Sequence, residues 1–333
     1  MRETTFRPAD LRYDNAALSA LARRCPLGGS LSFYHERDDF GERGRLQPAV
    51  EVILAEEAGT VVGCGSVARK PMWLGGTLQP SAYIFDLMVD PLRRGQGIAR
   101  RLLRGLIEAC PDACLVYAHV LDDNLPSRRL FVGAGFRAHP RRLFFHTLLP
   151  RVEGRPSGRV TGPSPIDPAI AADIDRRLRD SHDFIGATSG HDGLFRLEAA
   201  DGRAWAALRR HGPKVCVRAP WYVPALARLI PSLPRPGRPV LAWSLHHLVA
   251  DTRRPCAALD RLLRAAAWTA ACQQIDLLLI PLFEDDPLNA VPGRYLLPRW
   301  GFSGGTTRLY VAGPAADALL ASAKPLTLSA CDA

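Results

Sequence analysis

The chain has 333 residues with a net charge of +10, and its hydrophobic content of 47% together with this length suggests two globular domains. No segment approaches the roughly 20 consecutive apolar residues that a membrane span needs, so the composition excludes a membrane-spanning protein. The arginines are dispersed and no block of like charge occurs, which argues against a nucleic-acid-binding protein.

The first part of the chain predicts a short strand, a helix and a β-hairpin. Asn15 is placed to cap a helix that carries Leu18 and Leu21. The stretch 30–40 mixes aromatic residues with carboxylates and has no clean period, which is typical of a loop. Two β-rich runs, 50–57 and 60–68, flank Ala58-Gly59 and predict the hairpin.

A strand, a glycine-bearing turn and the start of a helix follow one another between Asp86 and Leu103. The strand closes at Asp90-Pro91, because proline has no N–H and restricts the residue before it. The next apolar residues, from Ile98 onward, recur at helical spacing. Free N–H groups at a helix start, the helix dipole and glycines that admit a phosphate favour an anion there, and Arg93 and Arg94 add positive charge. These residues alone predict a pyrophosphate site.

Strands and helices alternate beyond Ile84, which indicates a mixed α/β sheet. A strand at 113–120 is followed by a short helix from Pro126 to Gly133 and by a strand at 142–148. Proline and glycine then punctuate polar residues from 150 to 168, which predicts a linker.

The second half repeats the order of elements found in the first. It predicts a helix near 170–178, a hairpin of 204–209 with 215–218, a strand at 239–249, a helix at 257–272, and further strands near 275–281 and 306–311. Between its long strand and its helix it has Arg253-Arg254 but no glycine, so we expect no close approach of a phosphate there. A phosphate contact by this arginine pair alone remains an alternative.

Two motifs carry a resemblance to a known family. Arg94-Gly-Gln-Gly-Ile-Ala99 resembles the Arg/Gln-x-x-Gly-x-Gly/Ala motif of the GNAT superfamily of acyl-CoA-dependent N-acyltransferases, and Asn124 to Phe136 is similar to that family's Asn-x-x-Ala-x-x-Leu-Tyr-x-x-x-Gly-Phe. The resemblance implies an α/β fold of two tandem GNAT-like domains, each a mixed, mostly antiparallel sheet flanked by helices. We place a catalytic domain at 1–150, a linker at 151–168 and a degenerate copy at 169–333.

The same resemblance implies an acetyl-CoA-dependent N-acetyltransferase that acts on an amine, of a small molecule, by direct attack on the thioester. The oxyanion would be held by backbone N–H groups of the central strand. The implied cofactor-binding residues are Leu87, Met88, Val89, Arg93, Arg94, Gly95, Gln96, Gly97, Ile98, Ala99, Asn124 and Phe131.

The catalytic residues follow from the resemblance less directly. Asp86 stands where the family often has an acidic residue and is the predicted general base; a buried structural carboxylate is the alternative. Phe131 replaces the family's usual tyrosine and has no proton to give the leaving thiolate. Tyr117 and Ser127 are therefore the candidate proton donors; alternatively, the thiolate leaves unassisted.

The acceptor would contact Phe33, Tyr34 and His35, because the family's first helices overhang the acceptor pocket; an exposed loop is the alternative. His119 and His182, like His35, are further candidate bases. Asn124 would orient the loop and the pantetheine, and it also suits a helix cap.

Individual residues favour or argue against other classes of function. Phe131 and the degenerate second half favour a CoA-binding sensor or partner-binding protein, and a protein acetyltransferase and a homodimer are also left open. No metal site is expected, because the adjacent His246 and His247 point to opposite faces of a strand. The eight cysteines form no CxxC pair, and there is no N-terminal signal region, so we expect reduced thiols and a cytoplasmic protein.

Overall fold

The computed structural model describes residues 3–28, 31–150, 160–183, 185–186, 194–199, 204–228, 233–250, 255–291 and 301–327. Its helices are α1 (Leu11–Arg24), α2 (Ile98–Glu108), α3 (Leu125–Gly133), α4 (Pro168–Ser181), α5 (Tyr222–Leu226), α6 (Pro255–Cys272) and α7 (Ala316–Leu320). Its strands are β1 (Thr5–Pro8), β2 (Ser32–His35), β3 (Val50–Glu57), β4 (Thr60–Leu74), β5 (Thr77–Val89), β6 (Leu115–Leu121), β7 (Arg137–Leu148), β8 (Val160–Pro165), β9 (Ile185–Gly186), β10 (Leu194–Ala199), β11 (Ala204–Arg210), β12 (Lys214–Arg218), β13 (Pro239–Val240), β14 (Ala242–Ala250), β15 (Leu277–Phe283) and β16 (Gly301–Ala312).

Most of the described strands form one 13-stranded sheet. Its order is β1-β3-β4-β5-β6-β16-β7-β15-β14-β11-β10-β8, with β9 paired to β4. The pairs are antiparallel except for β5 with β6 and β14 with β15. The predicted α/β class with a mixed, mostly antiparallel sheet flanked by helices is confirmed.

The two parallel pairs occupy equivalent places in the two halves. In the first half, residues 81–83 of β5 pair with 115–117 of β6, and the register ends there. In the second half, residues 242–244 of β14 pair with 277–279 of β15, and again the register ends. A helix joins the strands of each pair, α2 in one and α6 in the other. The fold is therefore a tandem repeat.

The two halves exchange strands, which the sequence did not predict. β16, the last strand of the second half, lies between β6 and β7 of the first half and pairs with both. β7 in turn pairs with β15 of the second half. Each half thus completes its sheet with a strand of the other. We keep 1–150 and 169–333 as proposed domain boundaries along the chain, although the two ranges do not form separate sheets.

The helices α2, α3 and α6 cover one face of the sheet. Side chains of α2 and α3 pack with alternate residues of β5, β6 and β16, and those of α6 pack on β11, β14 and β15. The opposite face packs against α1 on the first half and against α7 near the centre. We call this second face the α1 face.

A small three-stranded sheet, β13-β12-β2, connects the halves. β2 belongs to the first half and β12 to the second, and their register places Lys214 opposite His35 and Cys216 opposite Phe33. The stretch 30–40, predicted as a loop, therefore contains a strand that finds its partner far along the chain.

Three other local predictions are wrong. Asp10, not Asn15, caps α1, and the Asn15 side chain instead binds the backbone of Asp38 and Phe40. Residues 160–165 of the predicted linker form the edge strand β8, while 151–159 lie outside the described residues. β11 and β12 do not form a hairpin, because β11 pairs with β10 and β14 and β12 pairs with β2.

Candidate functional site

The glycine turn between β5 and α2 has the geometry of an anion site. Gly95 and Gly97 have φ values of 81° and 78°, in the left-handed region that glycine adopts without strain. Gly97 is the N-cap of α2, and no side chain caps this helix start. The turn is exposed from Arg94 to Gly97. Its backbone N–H groups are therefore available to a phosphate at the positive end of the helix dipole.

The two arginines of the turn are held differently from what the sequence predicted. Arg93 Nε donates to Glu57 Oε2 at 2.8 Å, so a carboxylate already offsets its charge. Arg94 Nε donates to the Val89 carbonyl at 3.3 Å, and its side chain remains exposed. The backbone N–H groups of the turn and the exposed Arg94 are therefore placed to receive an anion, whereas the Arg93 guanidinium is shared with Glu57.

Beside this turn, the sheet opens between β5 and β6. Their register ends at Tyr83 and Tyr117, although β5 continues to Val89 and β6 to Leu121. In the open part of β5 the register with β4 shifts, so that Cys64 pairs with Met88 and Ser66 with Phe85. This is a bulge of one residue, a feature that often lies next to active sites. Leu87, Met88 and Val89 thus lie along the open edge.

Asp86 lies in the bulge with a φ of 49° and is enclosed by two arginines. Arg37 donates to both of its carboxylate oxygens, at 2.6 and 3.2 Å, and Arg43 Nη1 donates to Oδ1 at 3.2 Å. Burial alone would raise the pKa of Asp86, but the two guanidiniums outweigh it and hold the pKa well below its usual range. A carboxylate in this state is a weak proton acceptor.

His35 lies in the same cluster. Burial, then the charges of Lys214, Arg37 and Arg43, lower the pKa of His35 well below its ordinary value, and Asp86 acts in the opposite direction. The imidazole is therefore neutral at pH 7. The predicted acceptor residue His35 and the predicted catalytic residue Asp86 are brought together, although they are far apart in the sequence.

The second half adds its own polar side chains to this interior. His211 Nε2 and His246 Nε2 each lie 2.7 Å from the hydroxyl of Ser244, which is fully buried. Burial and the neighbouring Lys214 and Arg209 lower the pKa of His211 well below its ordinary value. The sequence analysis considered His246 only as a metal ligand and named none of the others, since their grouping depends on the pairing of β11 with β14 and of β12 with β2.

A cavity of about 340 Å³ on the α1 face extends to Asp86. Its walls come from the end of β1, the short 3₁₀ turns after β2, and the strands β3, β4 and β5. Phe85 and Ser66 line it beside Asp86, and Gly41 and Arg45 also line it. The volume is in the range of small-molecule pockets.

Aromatic rings cluster where the pairing of β5 with β6 ends. Tyr83 stacks on Phe85 and on Tyr117, with ring centroids 5.3 and 5.1 Å apart. Lys70 Nζ lies over Tyr83 and Tyr117 at 5.1 and 5.7 Å from the centroids. The Tyr117 hydroxyl contacts Met72 Sδ at 3.6 Å on this face, away from α3. Tyr117 is thus on the α1 face.

The predicted residues of α3 lie on the opposite face. Asn124 caps the helix by accepting from the Ser127 N–H at 3.2 Å, so its cap role is confirmed. Phe131 is buried against Phe136 and, at 6.0 Å between centroids, against Tyr310 of β16. The Tyr310 hydroxyl accepts from Arg128 Nε at 3.2 Å. The structure therefore places a tyrosine of the second half beside the phenylalanine that replaces the family's tyrosine.

The remaining predicted residues have more ordinary surroundings. Phe33 packs on an apolar cluster with Leu149, Val240 and Ala242. Burial raises the pKa of Tyr34, and hydrogen bonding to Glu36 adds to the increase.

Among the described residues, no group of three His, Cys, Asp or Glu side chains is placed to hold a metal ion. The arginine pair of the second half, 253–254, lies outside the described residues.

Comparisons with known proteins agree with this geometry. The acetyltransferase (GNAT) family model matches residues 16–136. Glucosamine 6-phosphate N-acetyltransferase of Trypanosoma brucei brucei is 30% identical over 102 residues, which are 30% of this chain and 67% of that protein. N-alpha-acetyltransferase RimI of Mycobacterium tuberculosis is 33% identical over 104 residues, 31% of this chain and 63% of that protein.

The solved structures extend the likeness to the whole chain. Saccharomyces cerevisiae N-myristoyltransferase with bound myristoyl-CoA has a TM-score of 0.63 at 12% identity, covering 94% of this chain and 84% of that one. A tandem GNAT protein from the clavulanic acid biosynthesis pathway has a TM-score of 0.57 at 16% identity, covering 93% and 98%. The glycine turn, the opened strand pair and the repeated halves define a tandem acyltransferase fold. The chain belongs to the GNAT family and is an enzyme of the acyltransferase class.

No helix in the described part of the chain is both long and apolar enough to cross a membrane.

Proposed function

We propose that the protein is an acetyl-CoA-dependent N-acetyltransferase that acetylates an amine of a small molecule by direct attack on the thioester. One observation carries the proposal: the glycine turn at the start of α2 lies directly after the opened end of β5. Pyrophosphate would bind the turn, and the pantetheine would enter between β5 and β6. The names of the two relatives support acetyl as the transferred group.

The thioester carbonyl would be polarised at the open edge of β5. Backbone N–H groups there, in the region of Leu87 to Val89, have no partner strand on the side of β6. Donors fixed where negative charge develops stabilise the tetrahedral intermediate, since they need no reorganisation. The acceptor amine would reach the carbonyl from the cavity that ends at Asp86.

His35 suits the role of proton acceptor better than Asp86. Asp86 is fixed as a carboxylate by Arg37 and Arg43, whereas His35 is neutral at pH 7. Burial and the same guanidiniums lower the pKa of His35, so it would hold a proton only transiently, as the acceptor amine loses one. The nearby carboxylate would then stabilise the imidazolium that forms. We therefore revise the general base from Asp86 to His35, with Asp86 as its electrostatic partner.

Tyr310 is our proposed donor to the leaving thiolate. Its hydroxyl lies on the same face as α3, beside Phe131, while Tyr117 lies on the opposite face. Arg128 donates to the Tyr310 oxygen, so the hydroxyl hydrogen is left for another acceptor. The second half would thus supply the hydroxyl that Phe131 lacks.

The test is a product screen with acetyl-CoA against simple amines, amino sugars, aminoglycosides and peptides, following release of the free thiol. We expect turnover with a small amine, and mass spectrometry should find one added acetyl group on its nitrogen. Turnover only with peptides would support the protein acetyltransferase suggested by the RimI likeness and would overturn the small-molecule assignment.

A second candidate is a CoA-binding sensor without catalysis. Phe131 favours it, because the usual tyrosine is missing, and so does the ion-paired state of Asp86. Acetyl-CoA binding without thiol release across the whole screen would select this candidate. Thiol release that is abolished in His35→Gln would reject it.

A further inference from the structure

The cavity that extends to Asp86 lies directly beside the proposed reacting centre. Asp86 is part of its wall, and the open edge of β5, from Leu87 to Val89, follows Asp86 in the chain. Other parts of the wall come from the first residue of α1 and the 3₁₀ turns after β2. A molecule that fills this cavity therefore has one end at the strand where the thioester carbonyl would lie.

The wall of the cavity is mostly apolar. Its apolar side chains include Pro8, Leu11, Phe40, Val50, Val52 and Phe85. The guanidinium of Arg37 lies over the Phe40 ring, 5.5 Å from its centroid, and that of Arg43 lies 5.2 Å from the centroid of Phe85. Both arginines donate to Asp86, and in the described part of the chain neither of them lines the cavity. The cavity is therefore bounded by the two rings, and the charges beside the rings are offset by Asp86.

The other charged side chains of the wall also have partners. Arg45 pairs with Asp39, and its side chain is 62% exposed. Glu51 Oε2 lies 3.9 Å from Arg69 Nη1. An ionised group on a bound molecule would lose its hydration against the apolar side chains, and the charges of the wall are already paired. The wall therefore favours an uncharged, apolar body.

The size of the cavity limits the body that it can hold. Its volume of about 340 Å³ lies at the small end of the range of ligand pockets, roughly 300–1,000 Å³. Among the described residues, Ser66 supplies the one uncharged polar side chain of the wall. An aromatic ring or a short alkyl chain matches this volume and this wall. An amino sugar or an aminoglycoside needs more hydrogen-bonding partners than these side chains supply.

We propose that the cavity binds the apolar body of the acceptor, so that the substrate is a primary amine on an aryl or alkyl group. The proposal rests on the proposed function and names the class of its substrate. The C–N bond would form as the C–S bond breaks, with one amine proton passing to His35 and the thiolate taking a proton from Tyr310. Leu11, Phe40 and Phe85 then determine which amines fit, since they line the cavity.

The first experiment measures binding without the reaction. Full-length protein saturated with CoA is titrated by calorimetry with 2-phenylethanol, a neutral probe that has a hydroxyl in place of the amine. Gly44→Leu adds a side chain to the cavity wall, at a glycine whose φ is not left-handed and whose Cβ would contact Val50 at 3.4 Å. Gly133→Leu, at a helical glycine with open space around the Cβ position, is the matched control.

We expect the Kd for 2-phenylethanol to rise about tenfold or more in Gly44→Leu and to stay within about threefold of the wild-type value in Gly133→Leu. Equal binding by Gly44→Leu, or no binding by the wild type, would overturn the inference.

The second experiment follows acetyl transfer to n-alkylamines from ethylamine to octylamine. Each CH₂ group that enters the cavity should raise kcat/KM about fourfold until the cavity is full. Leu11→Ala enlarges the cavity and should move the optimum to a longer amine, which a loss of stability alone does not do. This variant decides the question if Gly44→Leu does not fold. A series without a rise, or faster transfer to glucosamine 6-phosphate than to hexylamine, would overturn the inference.

The same measurements separate this inference from the proposed function. Turnover of hydrophilic amines alone would leave an acetyltransferase and overturn only the apolar substrate class. Absence of thiol release with every amine would contradict the proposed function, while the calorimetry would still report on the cavity. Faster use of hexanoyl-CoA than of acetyl-CoA, with this preference lost in Gly44→Leu, would assign the cavity to the acyl chain and overturn the inference.

Discussion

Asp86 and His247 occupy equivalent positions in the two halves of the protein. Each has a positive φ, 49° and 51°, and each lies three residues beyond the last registered pair of its parallel strands, after Tyr83 and Ser244. In both halves the neighbouring antiparallel strand shifts register at this point. The repeat has kept the bulge, while the residue that it presents has changed from an arginine-bound carboxylate to an imidazole.

Replacing Asp86 by Asn should destabilise the fold as well as reduce activity. The change leaves Arg37, which is almost fully buried, without its carboxylate, and losing one partner of a buried pair costs about 3–5 kcal/mol. Urea unfolding measures the loss. Asp317→Asn, which breaks the exposed pair with Arg137, is the control and should cost under about 1 kcal/mol. Equal losses in the two variants would contradict a buried pair.

His35→Gln should lower kcat by about 10²-fold and leave acetyl-CoA affinity unchanged, because general base catalysis typically contributes that much. Steady-state kinetics with an active amine, together with calorimetry, separate the two effects. Tyr34→Phe is the control, since it alters the same strand without removing the base. If His35→Gln keeps full kcat, the base lies elsewhere.

Tyr310→Phe should reduce kcat by roughly tenfold, a moderate effect because a thiolate of pKa about 8.5 is a good leaving group. Acetyl-CoA binding should be unaffected. Tyr117→Phe, on the opposite face of the sheet, should have the smaller effect on kcat. The reverse order would return the donor role to Tyr117.

Lys214→Met should stabilise the protein at pH 7. The pKa of Lys214 is lowered from its ordinary 10.5 to about 8, so the folded state binds the proton more weakly than the unfolded state. The charged form therefore destabilises the fold below pH 8, by on the order of 3 kcal/mol, and this penalty disappears as the pH rises through 8 toward 10.5. Denaturant unfolding at pH 7 and pH 10 should show a gain for the variant at the lower pH only. A loss at pH 7 would indicate a compensating partner for Lys214.

The two halves should remain associated after the chain between them is cut. A protease site inserted within 151–159 allows cleavage of the folded protein, and β16 then holds the pieces together by pairing with β6 and β7. The pieces should co-elute in native gel filtration and separate in denaturant. Residues 1–150 expressed alone should aggregate, since β6 and β7 would lack this neighbour. Soluble, monomeric 1–150 would contradict the strand exchange.

The sequence predicted the structure best where local structure depends on residues that are close together along the chain. The turn from Arg93 to Gly97 and the helix after it were predictable, because glycine, proline and helical spacing act locally. The tandem order was predictable from the repeat of elements. The exchange of β16 was not, because an apolar strand does not specify which of two similar sheets it completes.

The same limit applies to the site. Asp86 could be singled out by its position before the glycine turn, but its state depends on Arg37 and Arg43, which lie in a stretch without a clean period. Lys214, Ser244 and Tyr310 gave no signal of their own. Each reaches the site through strand pairing between residues that are far apart in the chain.

The central claim, that acetyl-CoA binds the turn at the start of α2, is tested most directly by calorimetry with Gly97→Val and Gly76→Val. Both glycines have similar φ values, 78° and 77°, and open space at the Cβ position, so the backbone strain of the two substitutions is matched. Only Gly97 lies in the proposed site. We predict that the Kd for acetyl-CoA rises at least tenfold in Gly97→Val and stays at the wild-type value in Gly76→Val. Undiminished binding by Gly97→Val, or no binding by the wild type, would contradict the assignment.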